Sequence, residues 1–215
     1  MHINKFYNNL NFLFYSTTFL INLLTFHSVA QSTSSYVGQK KKAFFNITEI
    51  GYSRGIGNFE LTDQITLPNE GYVVRVRTIF GRFLNPHLSI GLGAGLDGIH
   101  NPGFNTLPIF IDSRYYFSDA PQTPFLFLDL GYSVKLLDTF EQGVFTNFGI
   151  GYKLTALNRL RLLFGLGYNI HQIRQREVTI FAVPGGIQSV KSTFSLQSLS
   201  LNLGLLFNLN NSILK

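Results

Sequence analysis

The chain of 215 residues contains no cysteine, no tryptophan and one methionine, and only 13% of its residues are charged. Without cysteine it can form no disulfide framework, no cysteine-ligated zinc or iron–sulfur site and no cysteine lipid anchor. The charged fraction is about half the ~25% that is usual in soluble domains. The net charge of +6 is too small and too scattered to indicate nucleic-acid binding. The chain is instead rich in phenylalanine, tyrosine and glycine, with 22, 10 and 20 residues.

The first thirty residues predict a secretory signal peptide. Lys5 precedes an apolar stretch over residues 10–24, and Ser28-Val29-Ala30 then places small residues where a signal peptidase reads them. A retained membrane helix is the alternative, but polar residues interrupt the apolar stretch. We therefore expect residues 1–30 to be cleaved off, followed by a polar periplasmic leader over residues 31–42.

Beyond residue 42 the sequence alternates between apolar residues and small or polar ones. No later stretch has ~18 consecutive apolar residues, so no transmembrane helix is predicted there. In residues 88–97 every second residue is apolar, from Leu88 to Leu96, and the others are Ser, Gly and Asp. A period of two places the two sets on opposite faces of a strand. Eight segments carry this pattern, each near the ~9–11 residues of a membrane strand: 44–53, 72–83, 88–97, 107–117, 126–135, 144–154, 160–171 and 198–207.

The face that carries the small and polar residues distinguishes a membrane barrel from a soluble one. If that face formed the core of a soluble protein, it would bury Asp97, Asp129, Lys153 and Arg161 among glycines, at a cost of several kcal/mol for each unpaired group. A membrane barrel has an apolar outside and a polar inside, and it pairs every backbone group. The sequence therefore predicts an all-β fold, an eight-stranded antiparallel up-and-down transmembrane β-barrel over residues 43–209, with residues 210–215 as a tail.

The connections between the predicted strands alternate in length. Short turns are predicted at 85–87, 118–122 and 156–158, and longer links at 54–71, 98–106, 136–142 and 172–192. Short periplasmic turns and long outer loops are usual in such barrels, so both termini are expected in the periplasm. Tyrosines near the strand ends are predicted to form aromatic girdles: Tyr52, Tyr115, Tyr132, Tyr152 and Tyr168.

Residues 107–117, followed by Phe125 to Tyr132, resemble the small outer-membrane β-barrel family of Gram-negative bacteria, which includes the OmpA membrane domain and OmpX. Assembly signals in that family run polar-x-Gly-x-x-aromatic-x-apolar, a spacing matched by Asn202, Gly204, Phe207 and Leu209. The chain departs from the pattern by continuing to Lys215. The resemblance implies an outer-membrane location, contact with outer-membrane lipid and insertion by the barrel-assembly machinery. We expect a monomer.

Charged residues on the inward face are predicted to form a lumen charge network: Glu49, Arg75, Arg77, Asp97, Asp112, Arg114, Asp129, Lys153 and Arg161. The same alternation places Lys135 inward. Side chains just fill an eight-stranded lumen, which favours packed ion pairs over a narrow channel. Inward glycines relieve crowding. Their Gly-x-Gly runs at 91–95, 149–151 and 165–167 lack the Gly-Lys-Ser/Thr of a phosphate loop.

No catalytic, cofactor or metal site is predicted from the sequence. Lipid A deacylases with the fold of this outer-membrane barrel family use a His-x-Ser pair on the outer wall. His87-Leu88-Ser89 has that spacing, but at a predicted periplasmic turn and facing the lumen, whereas His171 is followed by Gln172 and Ile173. His100 is expected in a loop beside Asp97. The expected function is structural or adhesive, through display of extracellular loops; a lipid-modifying enzyme and a narrow channel are the alternatives.

The seventh strand is predicted to continue beyond the membrane. Arg159 to Val183 is 25 residues long, against the ~9–11 that cross a bilayer, and Pro184-Gly185-Gly186 then predicts a turn. We expect residues 174–191 to form a projecting hairpin that can accept an extracellular partner's strand. A mobile loop without a partner is the alternative.

Overall fold

In the computed structural model, the structure describes residues 43–209 apart from 63, 64, 102, 136, 138, 139, 157–159 and 183–185. Every described residue belongs to one compact unit, Gln39–Lys215. The predicted signal peptide, leader and tail lie outside the described residues. Among the described residues, no helix has the length and apolarity needed to span a membrane.

The described residues form an all-β structure, as predicted. Its strands are β1 (Phe44–Ile56), β2 (Asn58–Thr62), β3 (Ile65–Pro68), β4 (Tyr72–Phe83), β5 (Leu88–His100), β6 (Phe104–Thr106), β7 (Pro108–Tyr116), β8 (Thr123–Ser133), β9 (Gly143–Thr155), β10 (Leu160–Ala182) and β11 (Gly186–Leu209).

Eight of these strands close into an antiparallel barrel. The order around it is β4-β1-β11-β10-β9-β8-β7-β5, and a further pairing of β4 with β5 completes the ring. The first and last strands pair from Phe44↔Leu209 to Ile56↔Gln197. Closure leaves no sheet edge along the wall, which is what a hydrocarbon environment demands. The predicted eight-stranded barrel is therefore confirmed.

The strands are tilted relative to the barrel axis. A row, defined as a series of direct partners in successive strands, therefore rises along the axis as it passes around the barrel. A path of direct partners from Phe44 in β1 crosses the other seven strands and returns to β1 at Arg54, ten residues further on. The connections 84–87 and 117–122 lie at one end of the barrel, together with the end of β9 and the start of β10. This end is here called the turn end. The opposite end, called the loop end, carries the longer connections. Rows of partners rise from the turn end towards the loop end.

Several element boundaries differ from the predicted ones. β8 runs from Thr123 to Ser133 rather than over 126–135. The inward placement of Lys135 is therefore wrong: Lys135 lies beyond the strand, where alternation no longer applies, and it is exposed. The β2–β3 hairpin and β6 fall in links that were expected to lack strands. Their segments are too short for a period-two pattern to identify them.

The outward face of the barrel is apolar and exposed. Half or more of the surface of Ile50, Leu92, Ile150, Leu166 and Leu201 is accessible. Tyr115 and Tyr152 lie near the turn end, and Tyr52 and Tyr132 near the loop end. The Tyr168 hydroxyl donates a 2.7 Å hydrogen bond to Gln197 Oε1. Such rings suit the two boundaries between hydrocarbon and water.

The inward face contains more aromatic and aliphatic bulk than the alternation predicted. Ten apolar or aromatic side chains form one buried cluster in the lumen: Phe45, Ile47, Ile79, Phe110, Tyr116, Phe125, Phe127, Phe145, Leu163 and Leu206. Glycine accounts for their fit, because the direct partners include Gly93↔Phe110, Gly131↔Phe145 and Gly151↔Phe125. At each of these glycines an added Cβ would overlap the phenyl ring. A narrow lumen thus holds large rings because the strand opposite has no side chain there.

Candidate functional site: the lumen charge network

The nine charged residues predicted for the lumen are all buried there. None is more than 8% exposed, and they come from seven barrel strands. Charges at this depth are stable only when they are paired and hydrogen-bonded. The arrangement of their partners therefore decides whether the lumen is a packed core or a passage.

Arg77 is the centre of the first ion-pair cluster. Its guanidinium donates to Asp97 Oδ2 at 3.0 Å and to Asp129 Oδ2 at 3.4 Å. The same group lies 5.1 Å from the ring centroids of both Phe110 and Phe145. One cation therefore compensates two carboxylates while two rings shield it from water, which strengthens the attraction.

Arg114 is the centre of the second cluster. Its Nε donates to Asp112 Oδ2 at 2.9 Å, and its Nη2 donates to Glu49 Oε2 at 2.5 Å. The guanidinium carbon lies 5.5 Å from the centroid of the Phe125 ring. Asp112 and Asp129 are direct partners across β7 and β8, so the two clusters are adjacent.

The remaining three cations lie around these clusters. Arg75 is the direct partner of Asp97 across β4 and β5. Lys153 Nζ lies 4.4 Å from the centroid of Tyr116, and Arg161 donates to the carbonyl of Leu160 at 3.2 Å. Buried carboxylates and cations thus interdigitate with aromatic rings along the lumen. This composition is that of a polar core.

The space left within this core is small. A cavity lined by Glu49, Arg114 and Asn202, among others, has a volume of about 10 Å³, which is room for about one water molecule. At the loop end an apolar cluster closes the lumen: Phe59, Ile99, Phe104, Ile173, Phe194 and Leu196. Phe59 comes from the β2–β3 hairpin and packs 5.1 Å from Phe194. Side chains of the described residues thus pack closely around this cavity and at the loop end of the lumen.

The histidines lie at separate places in the barrel. Ser89 faces the lumen, but the His87 ring lies beside the outward-facing Tyr115, so the His-x-Ser pair does not come together. The expectation that the pair faces the lumen is therefore wrong for His87, because His87 belongs to a turn. His100 is exposed and stacks on Tyr72 at 4.4 Å. It is the last residue of β5 rather than part of a loop, and its side chain is exposed whereas that of Asp97 is buried.

One serine–histidine contact was not predicted. Ser133 Oγ lies 3.0 Å from His171 Nε2, and both side chains are buried. The residues are 38 positions apart, so no short motif could reveal the pair. Within the described residues, no group of three or more histidine or acidic side chains could hold a metal ion.

The predicted assembly signal lies in the second half of β11. Asn202 and Gly204 alternate with the outward positions of Phe207 and Leu209, and the strand ends at Leu209. Gly204 is the direct partner of Glu49. Recognition of this segment by the assembly machinery stays a prediction.

Comparison with known proteins gives structural likenesses at low sequence identity. No family model and no curated protein sequence matches the chain. The structure is similar to Neisserial surface protein A (TM-score 0.47, 16% identity, covering 77% of this chain and 97% of that chain). It is also similar to OprG from Pseudomonas aeruginosa (TM-score 0.44, 11% identity, covering 79% of this chain and 97% of that chain). A third similar structure is outer membrane protein W of E. coli (TM-score 0.43, 12% identity, covering 80% of this chain and 100% of that chain). The fold assignment stands on the strand pairing of this chain alone.

Proposed function

We propose that this chain is a small outer-membrane β-barrel of a Gram-negative bacterium with a structural or adhesive role. The apolar outward face and the tyrosines near both ends support the membrane placement. The packed lumen supports a role that lies at the surface rather than in transport. The finer likeness to the OmpA membrane domain and OmpX and the periplasmic position of both termini remain predictions.

The observation that carries the proposed role is the length of β10 and β11. β9 pairs with β10 as far as His171, and β1 pairs with β11 as far as Gln197. β10 and β11 continue to pair with each other from Arg176↔Ser192 to Ala182↔Gly186. The backbone pairing of the predicted hairpin is therefore present, while its turn at 183–185 lies outside the described residues. A two-stranded ribbon of this kind can take up a partner's strand by β-augmentation.

The base of the ribbon is held by other loop-end elements. Phe194 of β11 packs against Phe59 of the β2–β3 hairpin, and Ile173 of β10 belongs to the same buried cluster. An isolated two-stranded hairpin is only marginally stable in water. Packing at its base supports the use of the ribbon as an ordered surface for a partner.

Replacing residues 177–190 with an Asn-Gly turn tests this role. We expect the barrel to fold and to remain heat-modifiable on gels, because the replaced residues lie beyond the barrel pairing. Adhesion of whole cells, or capture of a partner by them, is expected to fall to the level of cells without the protein. Shortening the β2–β3 hairpin by the same turn in place of residues 61–65 is the matched control. Unchanged adhesion in the 177–190 variant, at equal surface abundance, refutes the adhesive role.

Two other functions remain as alternative proposals. A narrow channel is tested by planar-bilayer recording, where a stable open conductance from the wild-type protein would displace the present proposal. A lipid A-modifying enzyme is favoured only by the Ser133–His171 contact, which is enclosed in the lumen. A changed lipid A profile in a deletion strain would favour the enzyme.

A further inference from the structure

The outer wall of the barrel contains an apolar groove that crosses five strands. It is open to the surroundings, with a volume of about 670 Å³. The groove lies between two neighbouring rows of outward residues, and its floor includes Gly149 and Gly167. These two glycines are direct partners across β9 and β10. Both glycines face the lumen, so the floor of the groove is strand backbone and the outward side chains on either side form its walls.

The groove follows the climb of the paired rows. One edge runs through the direct partners Ser113, Leu128, Phe148, Tyr168 and Leu199. Four inter-strand spacings make this edge about 19 Å long. At the strand tilt of ~35–45° it rises by roughly 11–13 Å towards the loop end. One leaflet of a bilayer has about 15 Å of hydrocarbon, so the groove matches the depth of one acyl chain.

Towards the loop end, the same row continues from apolar residues to an arginine. The direct partner of Leu199 is Arg54, whose side chain is exposed on the outward face of β1. Arg54 stands next to the upper tyrosines, where a lipid headgroup meets water. A guanidinium at this depth suits a phosphate group, to which arginine donates two parallel hydrogen bonds.

Beyond Arg54 the row continues into a stack of rings. Tyr72 is the direct partner of Arg54, and His100 is the direct partner of Tyr72. The Tyr72 and His100 rings stack at 4.4 Å with an angle of 6°, and Tyr52 stacks on Tyr72 at 5.9 Å. The electron-rich face of an aromatic ring attracts the C–H groups of a sugar ring.

We propose that this row is a binding site for a phosphorylated glycolipid of the leaflet on the loop side. One acyl chain lies in the groove and a phosphate binds Arg54. A sugar ring lies against the outer face of His100, since Tyr52 and His100 already cover the two faces of Tyr72. The order of chemistry along the row, from apolar through cationic to aromatic, matches the order of groups along such a lipid. The proposal rests on the membrane placement given under the proposed function.

Binding of lipid A to the purified full chain in detergent tests the site by native mass spectrometry. The probes are bisphosphorylated lipid A, the same lipid with both phosphates removed, and phosphatidylglycerol. We expect Arg54→Gln and removal of the phosphates each to weaken binding by at least about tenfold, since each removes the same charge-assisted contact. His100→Leu is expected to weaken binding of lipid A but not of phosphatidylglycerol, because His100 is the exposed ring of the stack.

Arg82→Gln is the matched control, because Arg82 is also an exposed arginine on the outward face but lies near the turn end. Equal loss in both arginine variants, or phosphatidylglycerol binding as tightly as lipid A, overturns the glycolipid site. Unchanged heat-modifiability of the Arg54 variant separates lost contact from lost folding. These outcomes leave the membrane placement untouched, whereas recovery of the protein in the soluble cell fraction would contradict the placement itself.

Discussion

Replacing Arg77 with methionine is expected to lower the free energy of unfolding by about 3–5 kcal/mol, the usual cost of leaving buried charges without their partner. Arg77 is the donor to both Asp97 and Asp129, at 3.0 and 3.4 Å. Methionine retains much of the side-chain volume between the two phenyl rings. The loss therefore reports the two stranded carboxylates rather than a cavity.

The measurement is equilibrium unfolding in urea of the barrel in lipid vesicles. Arg82→Met on the same strand is the control, because Arg82 is exposed and lies outside the lumen network. We expect the control to stay within about 0.5 kcal/mol of the wild type, as surface substitutions usually do. If both variants unfold with the same free energy, the lumen ion pairs do not stabilise the barrel.

Replacing Gly93 with valine is the second substitution expected to have a large effect. A side chain at Gly93 would occupy the position of the Phe110 ring. That ring cannot move freely, because it packs 5.7 Å from Phe145 and 5.1 Å from the Arg77 guanidinium. Forcing extra atoms into a packed core costs about 1–3 kcal/mol.

The neighbouring residue supplies a matched control for this substitution. Ala94 is exposed on the outward face of the same strand, so Ala94→Val adds the same type of side chain to the wall without touching the lumen. We expect its free energy of unfolding to equal that of the wild type. Combining Gly93→Val with Phe110→Leu is expected to recover part of the loss. No recovery would show that the valine acts through the backbone instead of the ring.

Alternation was sufficient to predict the barrel because its two faces differ in chemistry along whole strands. In β5 the apolar set from Leu88 to Leu96 is separated from Ser, Gly and Asp at every step. The burial pattern of the strand follows that separation up to Ala94. Eight alternating strands, seven of them with charged inward positions, left few other folds, and the length of each predicted segment fitted a bilayer.

The rings in the lumen were not predicted because phenylalanine is apolar on either face. Phe110, for example, lies between Ile109 and Ile111, so the alternation in β7 shows no contrast at that position. The missing signal is in the neighbouring strands, where glycine is the direct partner of each such ring. Register across strands would have been needed to see it, and one sequence does not supply register.

Contacts that depend on strand register were beyond sequence reasoning for the same reason. Arg54, Tyr72 and His100 come from three strands and become neighbours through the register of the β1–β4 and β4–β5 pairs. Ser133 and His171 come from β8 and β10, and they meet across β9. The long hairpin was predictable because its two strands are joined by a Pro-Gly-Gly turn in the sequence itself.

The most direct test of the membrane barrel is nitroxide labelling of single cysteines in lipid vesicles. The chain has no cysteine, so each label reports one position. We expect labels at Leu92, Ile111 and Ile150, on the outward face, to collide with lipid-dissolved oxygen and to be protected from a water-soluble paramagnetic reagent. A label at Glu70, at the loop end, is expected to show the reverse. Outward positions that respond to the aqueous reagent as strongly as Glu70 would contradict the placement of this barrel in a membrane.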